Sequence, residues 1–152
     1  MTLRERLQTA MKEAMKAKEV DRLSTVRLIN AAIKDREIAL RGEGEGATIS
    51  DADILAILGR MVKQRHESAR AYEEGGRLEL ATKELAEIVV INEFLPRQLT
   101  GDEVTAAITV AIAESGAASI RDMGRVMAVL KGKYTGQMDF ATVGPRIKDM
   151  LG

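Results

Sequence analysis

Cysteine and tryptophan are absent from this 152-residue chain, which holds only two Phe, two Tyr, two Pro and one His. Without cysteine there is no disulfide, no thiol nucleophile and no thiolate metal site, and the composition suits a reducing compartment; a cytoplasmic location is the expectation. The shortage of aromatics leaves the core to Ala, Leu, Ile, Val and eight Met. Together with abundant Glu, Lys and Arg, that favours helix over sheet. No apolar run reaches the ~18 residues of a membrane span, and Thr2-Leu3-Arg4-Glu5-Arg6 offers no apolar signal core, so no membrane association is expected. Charge of one sign is also lacking. Lys and Arg number 23, as do Asp and Glu, so any site for a polyanion must be local.

What is present is a chain that is 45% apolar and 30% charged, the balance of a folded protein. Seven helices can be read and no strand. Thr2 with Glu5 is a capping box, opening a helix with the stripe Leu3, Leu7, Ala10, Met11 and Ala14. A second helix starts near Asp21 and carries Leu23, Val26, Ile29, Ile33 and Leu40. Gly42-Glu43-Gly44-Glu45-Gly46 has no apolar face and reads as a mobile loop. Ser50 with Asp53 opens a third helix, whose stripe is Leu55, Leu58, Val62, His66 and Ala69 and which Gly75-Gly76 ends. The fourth helix has apolar residues on several sides: Leu78, Ala81, Leu85, Ile88, Val89, Ile91, Phe94 and Leu95. That width predicts burial against several neighbours. Pro96 then forces Leu95 out of the helical region.

Beyond Pro96 the pattern starts again. Thr100 with Glu103 opens a helix that carries Val104, Ile108, Ala111 and Ile112 and stops at Gly116. Ser119 with Asp122 opens the next, with Ile120, Met123, Val126, Met127 and Leu130 inward. Asp139 opens the last, with Phe140, Val143, Ile147 and Leu151; Pro145 inside it should kink it or delay its start. The expected architecture is all-α in two parts: an N-terminal bundle of about four helices over 1–95 and a three-helix tail domain over 96–152.

A catalytic constellation is missing. His66, the one histidine, sits on an apolar stripe and reads as a partly buried structural imidazole rather than a ligand or general base. Glu73, Glu74, Glu79, Glu84 and Glu87 alternate with Arg77 and Lys83, the pattern of a solvated helix face. There is no metal motif and no phosphate-binding glycine turn, so no metal, cofactor or catalytic residue is assigned.

The positive signal is local charge. Between Arg121 and Lys148 lie six cations, Arg121, Arg125, Lys131, Lys133, Arg146 and Lys148, opposed only by Asp122 and Asp139. Arg121 and Arg125 are one helical turn apart and should share a face. Lys131 and Lys133 flank Gly132, and Tyr134 follows in what reads as a loop. Such a cluster can hold a phosphate backbone, with Tyr134 near a base or ribose. The plain alternative is solubilising surface charge, with lysines stabilising a helix C-terminus. Arg60, Lys63, Arg65 and Arg70, and likewise Arg22, Arg27, Lys34, Arg36 and Arg41, read as solvated surface.

Several stretches occur together in one order: Ser24 to Lys34, Lys63-Gln64-Arg65-His66-Glu67-Ser68-Ala69, Gly76-Arg77-Leu78-Glu79-Leu80-Ala81, Glu84, Glu87, Phe94-Leu95-Pro96-Arg97-Gln98-Leu99, and Asp122-Met123-Gly124-Arg125-Val126-Met127. Jointly they resemble the YqeY family over essentially the whole chain. That family is similar to the C-terminal tail of the GatB subunit of tRNA-dependent amidotransferases, a tail that contacts tRNA while the chemistry lies elsewhere. The resemblance implies a two-part helical protein acting as a tRNA-binding accessory with no catalytic centre of its own; the local charge nominates Arg121, Arg125, Lys131, Lys133, Tyr134, Arg146 and Lys148 as its binding residues. Two other roles are compatible with it. One is association with amidotransferase subunits, a carbon–nitrogen ligase using glutamine as amide donor. The other is protein–protein interaction without RNA, through an apolar face left open between the two parts. One departure stands out: many relatives carry a more basic loop after the position of Leu130, and Gln137 and Phe140 here do not fit that pattern.

Overall fold

A computed structural model describes residues 2–42 and 49–152, and among these it contains seven α-helices, one 3-10 turn and no strand. The protein is all-α. No single helix among the described residues is long and apolar enough to cross a membrane. The predicted loop at 42–46 lies, from residue 43 on, outside the described residues. The chain divides into two compact units, Met1–Leu95 and Pro96–Gly152.

The first unit holds α1 (Leu3–Lys16), α2 (Val20–Arg41), α3 (Asp51–Glu74) and α4 (Leu78–Asn92). Local chemistry sets the helix starts. Thr2 Oγ1 accepts the Glu5 N–H at 3.1 Å while the Glu5 carboxylate accepts the Thr2 N–H at 3.2 Å. Ser50 and Asp53 repeat this at 3.1 and 2.9 Å. The Ser50 backbone N–H and hydroxyl hold the Asp53 carboxyl below its ordinary pKa. At the other end of α3, Gly76 turns the chain with a φ of 73°, so that the Arg77 N–H reaches back to the Tyr72 carbonyl at 2.8 Å. That turn folds α4 back along α3 as a helical hairpin.

Leu7, Val26, Ile29, Leu58 and Ile91 are fully buried at the centre of this unit, with Leu3, Ile54 and Phe94 around them. Burial of each such side chain is worth roughly 1.5–3 kcal/mol. Arg6 covers the open side of Phe94, its guanidinium 5.7 Å from the ring centre, and donates to the Glu93 carbonyl at 3.1 Å. Arg22 pairs with the Glu93 carboxylate. Two cations therefore hold the C-terminus of α4, where the helix dipole favours positive charge.

Two expectations change in this unit. The inward stripe of α3 runs through Ile54, Ile57, Leu58, Met61 and Ala69, with Val62 half-buried and His66 exposed. Arg65, not His66, takes the inward position on that turn, so His66 is a surface histidine. In α4, Ala81, Ile88 and Ile91 are buried, while Leu78 and Val89 remain more than 60% exposed and Leu85 is 40% exposed. A single flank of α4 is packed, against α3 and, to a lesser extent, α2.

The second unit holds α5 (Gly101–Ser115), the 3-10 turn Ile120–Asp122, α6 (Met123–Tyr134) and α7 (Phe140–Leu151). Its core is Val104, Ala107, Ile108, Ala111, Val126, Leu130, Met138, Val143 and Ile147. The helix expected from Ser119 starts only at Met123. The preceding 3-10 turn leaves Ile120 46% exposed rather than inward. Pro145 does not delay α7, which begins at Phe140 where Asp139 Oδ1 accepts the Ala141 N–H at 3.0 Å.

Candidate nucleic-acid interface

All seven residues of the expected site lie in the second unit, and two carboxylate clamps set its framework. Thr100 Oγ1 accepts the Glu103 N–H at 3.2 Å, opening α5, and the Glu103 carboxylate accepts the Thr100 N–H at 3.0 Å. Arg97 grips the same carboxylate with two parallel bonds of 2.8 and 2.7 Å. The Arg97 bond, then the Thr100 N–H, lower the Glu103 carboxyl to about pKa 2, and Arg97 itself is raised by that bond. Gly116 ends α5 with a φ of 68°. The second clamp follows: the Asp122 carboxylate accepts from the Ala118 N–H at 2.9 Å and from Arg125 at 2.5 Å, and both lower its pKa, the backbone bond more.

Against this frame the six cations separate into two kinds. Arg125 is paired to Asp122, Lys133 to Glu114 of α5 at 2.6 Å, and Arg146 is bonded to Thr105 and to the Gly101 carbonyl at 3.2 Å. Arg121, Lys131 and Lys148 are exposed, and their side chains make no ion pair or hydrogen bond among the described residues. Nor do the six share one face. Lys131 and Lys133 are two residues apart on α6, so about 160° of rotation separates them. Arg146 and Lys148 flank the buried Ile147 on opposite sides of α7 in the same way.

Tyr134 is not in a loop. It is the last residue of α6, and its half-buried ring packs against the core of the unit. Thr135 bonds back to the Lys131 carbonyl, and Gln137 and Gln98 tie this end of α6 to the segment before α5. The balance of the whole unit is seven Lys and Arg against six Asp and Glu, so its positive potential is local to the unpaired cations.

Sequence reasoning missed two features of the first unit. Arg65 and Glu87, both in the family-like stretches, form a mostly buried ion pair at 2.8 Å between α3 and α4. A groove of about 420 Å³ lies between α1 and α2, with Arg4, Lys34 and Arg41 along it. The i, i+3, i+4, i+7 spacing of Asn30, Ile33, Lys34 and Glu37 on α2 was the available signal for the groove. Among the described residues no three His, Asp or Glu side chains are gathered in a way that could hold a metal ion.

Comparison with known proteins places this geometry in a family. The family described as Yqey-like protein matches residues 4–151. The protein of Clavispora lusitaniae named altered inheritance of mitochondria protein 41, mitochondrial, is 34% identical over 89 residues, 59% of this chain and 49% of that protein. An uncharacterised protein of Schizosaccharomyces pombe is 27% identical over 84 residues, 55% of this chain and 64% of its own length. A Pyrenophora tritici-repentis protein, also named altered inheritance of mitochondria protein 41, is 25% identical over 97% of this chain and 80% of its own length. The chain thus spans about half to two thirds of the first two relatives.

Proposed function

From the membership of this chain in the YqeY-like family, we infer that it is an RNA-binding accessory, with tRNA as its ligand and without a catalytic centre of its own. The reading rests on one observation. Arg121, Lys131 and Lys148 stand exposed, with no side-chain partner among the described residues, in the unit whose sequence resembles a tRNA-contacting tail. Unpaired cations give up no intramolecular partner when they meet phosphate, whereas Arg125, Lys133 and Arg146 must first leave Asp122, Glu114 and Thr105. Three cations standing apart on different elements suit contacts to separate phosphates rather than to one base edge. Affinity would come from phosphate and specificity from shape.

A cysteine-free chain suits either of two reducing settings, the cytoplasm or the mitochondrion after which two relatives are named. The test is fluorescence anisotropy of labelled total tRNA with the purified protein at two salt concentrations. Binding that weakens steeply with salt, and that falls at least tenfold in Arg121→Ala/Lys131→Ala/Lys148→Ala, supports the reading. Absence of binding at low salt, or an unchanged affinity in the triple variant, overturns it.

A further inference from the structure

The groove between α1 and α2 has a composition that neither the RNA reading nor the fold requires. Its floor is apolar, formed by Met11 of α1 and Ile33 of α2, and Ile38 stands 55% exposed at its wall. Two amides, Gln8 and Asn30, face it from opposite helices. Asn30 spends its amide donor on a weak 3.6 Å contact to the Met11 sulfur and leaves its carbonyl oxygen available. Along the rim, Glu37, the one lining carboxylate among the described residues, is already taken by Arg4. Lys34 and Arg41, one turn to either side of Glu37, are exposed and have no partner among the described residues.

The spacing of those two cations selects the shape of an occupant. Seven residues separate them on α2, about 10 Å along the helix axis, which is too far for both to serve one small anion without bending inward. A peptide extended in the polyproline II conformation has three residues per turn, so two acidic side chains three residues apart share one edge, about 9 Å from each other. A neighbouring edge of such a peptide turns an intervening aliphatic side chain toward Met11 and Ile33, and its backbone N–H and C=O groups, which make no internal bonds, meet the Asn30 and Gln8 amides, which carry both donors and acceptors. A single-stranded nucleic acid would find cations but no ring to stack on, since among the described residues no aromatic side chain lines the groove. A volume of about 420 Å³ is within the range of a ligand site and accommodates a few residues of chain.

We propose that the α1–α2 groove of the first unit is a docking site for an extended acidic peptide segment of a partner protein, with two carboxylates held by Lys34 and Arg41 and an aliphatic side chain between them. The site is separate from the tRNA reading: it lies in the other unit and takes a different class of ligand.

The experiment is selection of a random heptapeptide library on the full-length protein and on a Lys34→Glu/Arg41→Glu variant, followed by anisotropy with the selected peptide and with poly(U). Both substitutions are at exposed positions, and a thermal melt confirms that the variant folds. The expected result is a motif of two acidic residues three apart around an aliphatic one. The variant should bind the selected peptide at least tenfold more weakly, and so should the native protein when Gln replaces both acids. A motif without paired acids, no enrichment, or affinity unchanged in the variant overturns the proposal. Poly(U) binding that depends on Lys34 and Arg41 while the peptide fails to bind would assign the groove to nucleic acid instead.

Discussion

Arg65 of α3 donates from Nε to Glu87 Oε2 of α4 at 2.8 Å, with the two side chains only 15% and 17% exposed. Arg65 also donates to the Met61 carbonyl at 3.2 Å, so its guanidinium is fixed from both helices. A pair this far out of water contributes little as a pair, but either partner left alone is an uncompensated charge against an apolar wall. Glu87→Ala or Arg65→Ala is therefore expected to destabilise the first unit by about 2 kcal/mol. Arg65→Met with Glu87→Leu together should recover most of that loss. Urea unfolding of the three variants checks this; equal losses in the single and double variants would show that the pair is not the cause.

The Glu103 clamp makes the second unit acid-sensitive in a narrow window. Its carboxyl titrates at about 2 in the folded chain, against an ordinary 4.5, so the unfolded chain binds the proton first. The stabilisation is complete above about pH 4.5 and disappears as the pH falls towards 2. Asp122, lowered by Ala118 and Arg125, acts in the same direction. Thermal melts between pH 6 and pH 2 should show a falling midpoint over the lower part of this range, and in Glu103→Gln the fall should be shallower. A variant that melts in parallel with the native chain at every pH would exclude this clamp as the source.

Two glycines are expected to respond with opposite signs. Gly59 lies on the exposed side of α3 with no atom within 4 Å of where a Cβ would stand, so Gly59→Ala should stabilise by about 0.5–1 kcal/mol. Gly76 holds the α3–α4 turn at a φ of 73°, and Gly76→Ala should destabilise by about 1 kcal/mol. Chemical denaturation midpoints of the two variants are the measurement.

Tyr134 should separate fold from binding. Its ring supports the core beside Leu130, so Tyr134→Ala is expected to lower stability by roughly 1–2 kcal/mol. At a temperature where the variant is fully folded, its tRNA affinity should be unchanged, in contrast to the Arg121, Lys131 and Lys148 triple variant. A loss of affinity without a loss of stability would return Tyr134 to the ligand-contacting set.

Helix starts and stops could be read from the chain because they are decided within four residues. Thr2 with Glu5, Ser50 with Asp53 and Thr100 with Glu103 each close a capping box that needs no distant partner. Gly75-Gly76 and Gly116 end their helices through their own backbone freedom. Composition likewise fixed the all-α class, and the ordered motifs identified the family. Which way each helix is turned about its axis is not a local property. A rotation of one residue's worth on α3 exchanges His66 for Arg65 at the inward position; Arg65 shares the packed face of Leu58, Met61 and Ala69, and Glu87 of α4 pairs with it there. The same holds for α4, where the packed flank is chosen by α2 and α3 and leaves Leu78, Leu85 and Val89 outside.

The cations follow this rule most clearly. The sequence by itself determined that six of them lie between Arg121 and Lys148, at helix ends and in helices that carry few acids. Tertiary structure alone decided that Lys133 meets Glu114, 19 residues away, that Arg146 meets Thr105, 41 residues away, and that the side chains of Arg121, Lys131 and Lys148 meet no partner among the described residues. Proximity along the chain sets what a residue's own helix can offer it. Pairing between helices depends on how their apolar faces pack, and that packing is a property of the whole unit.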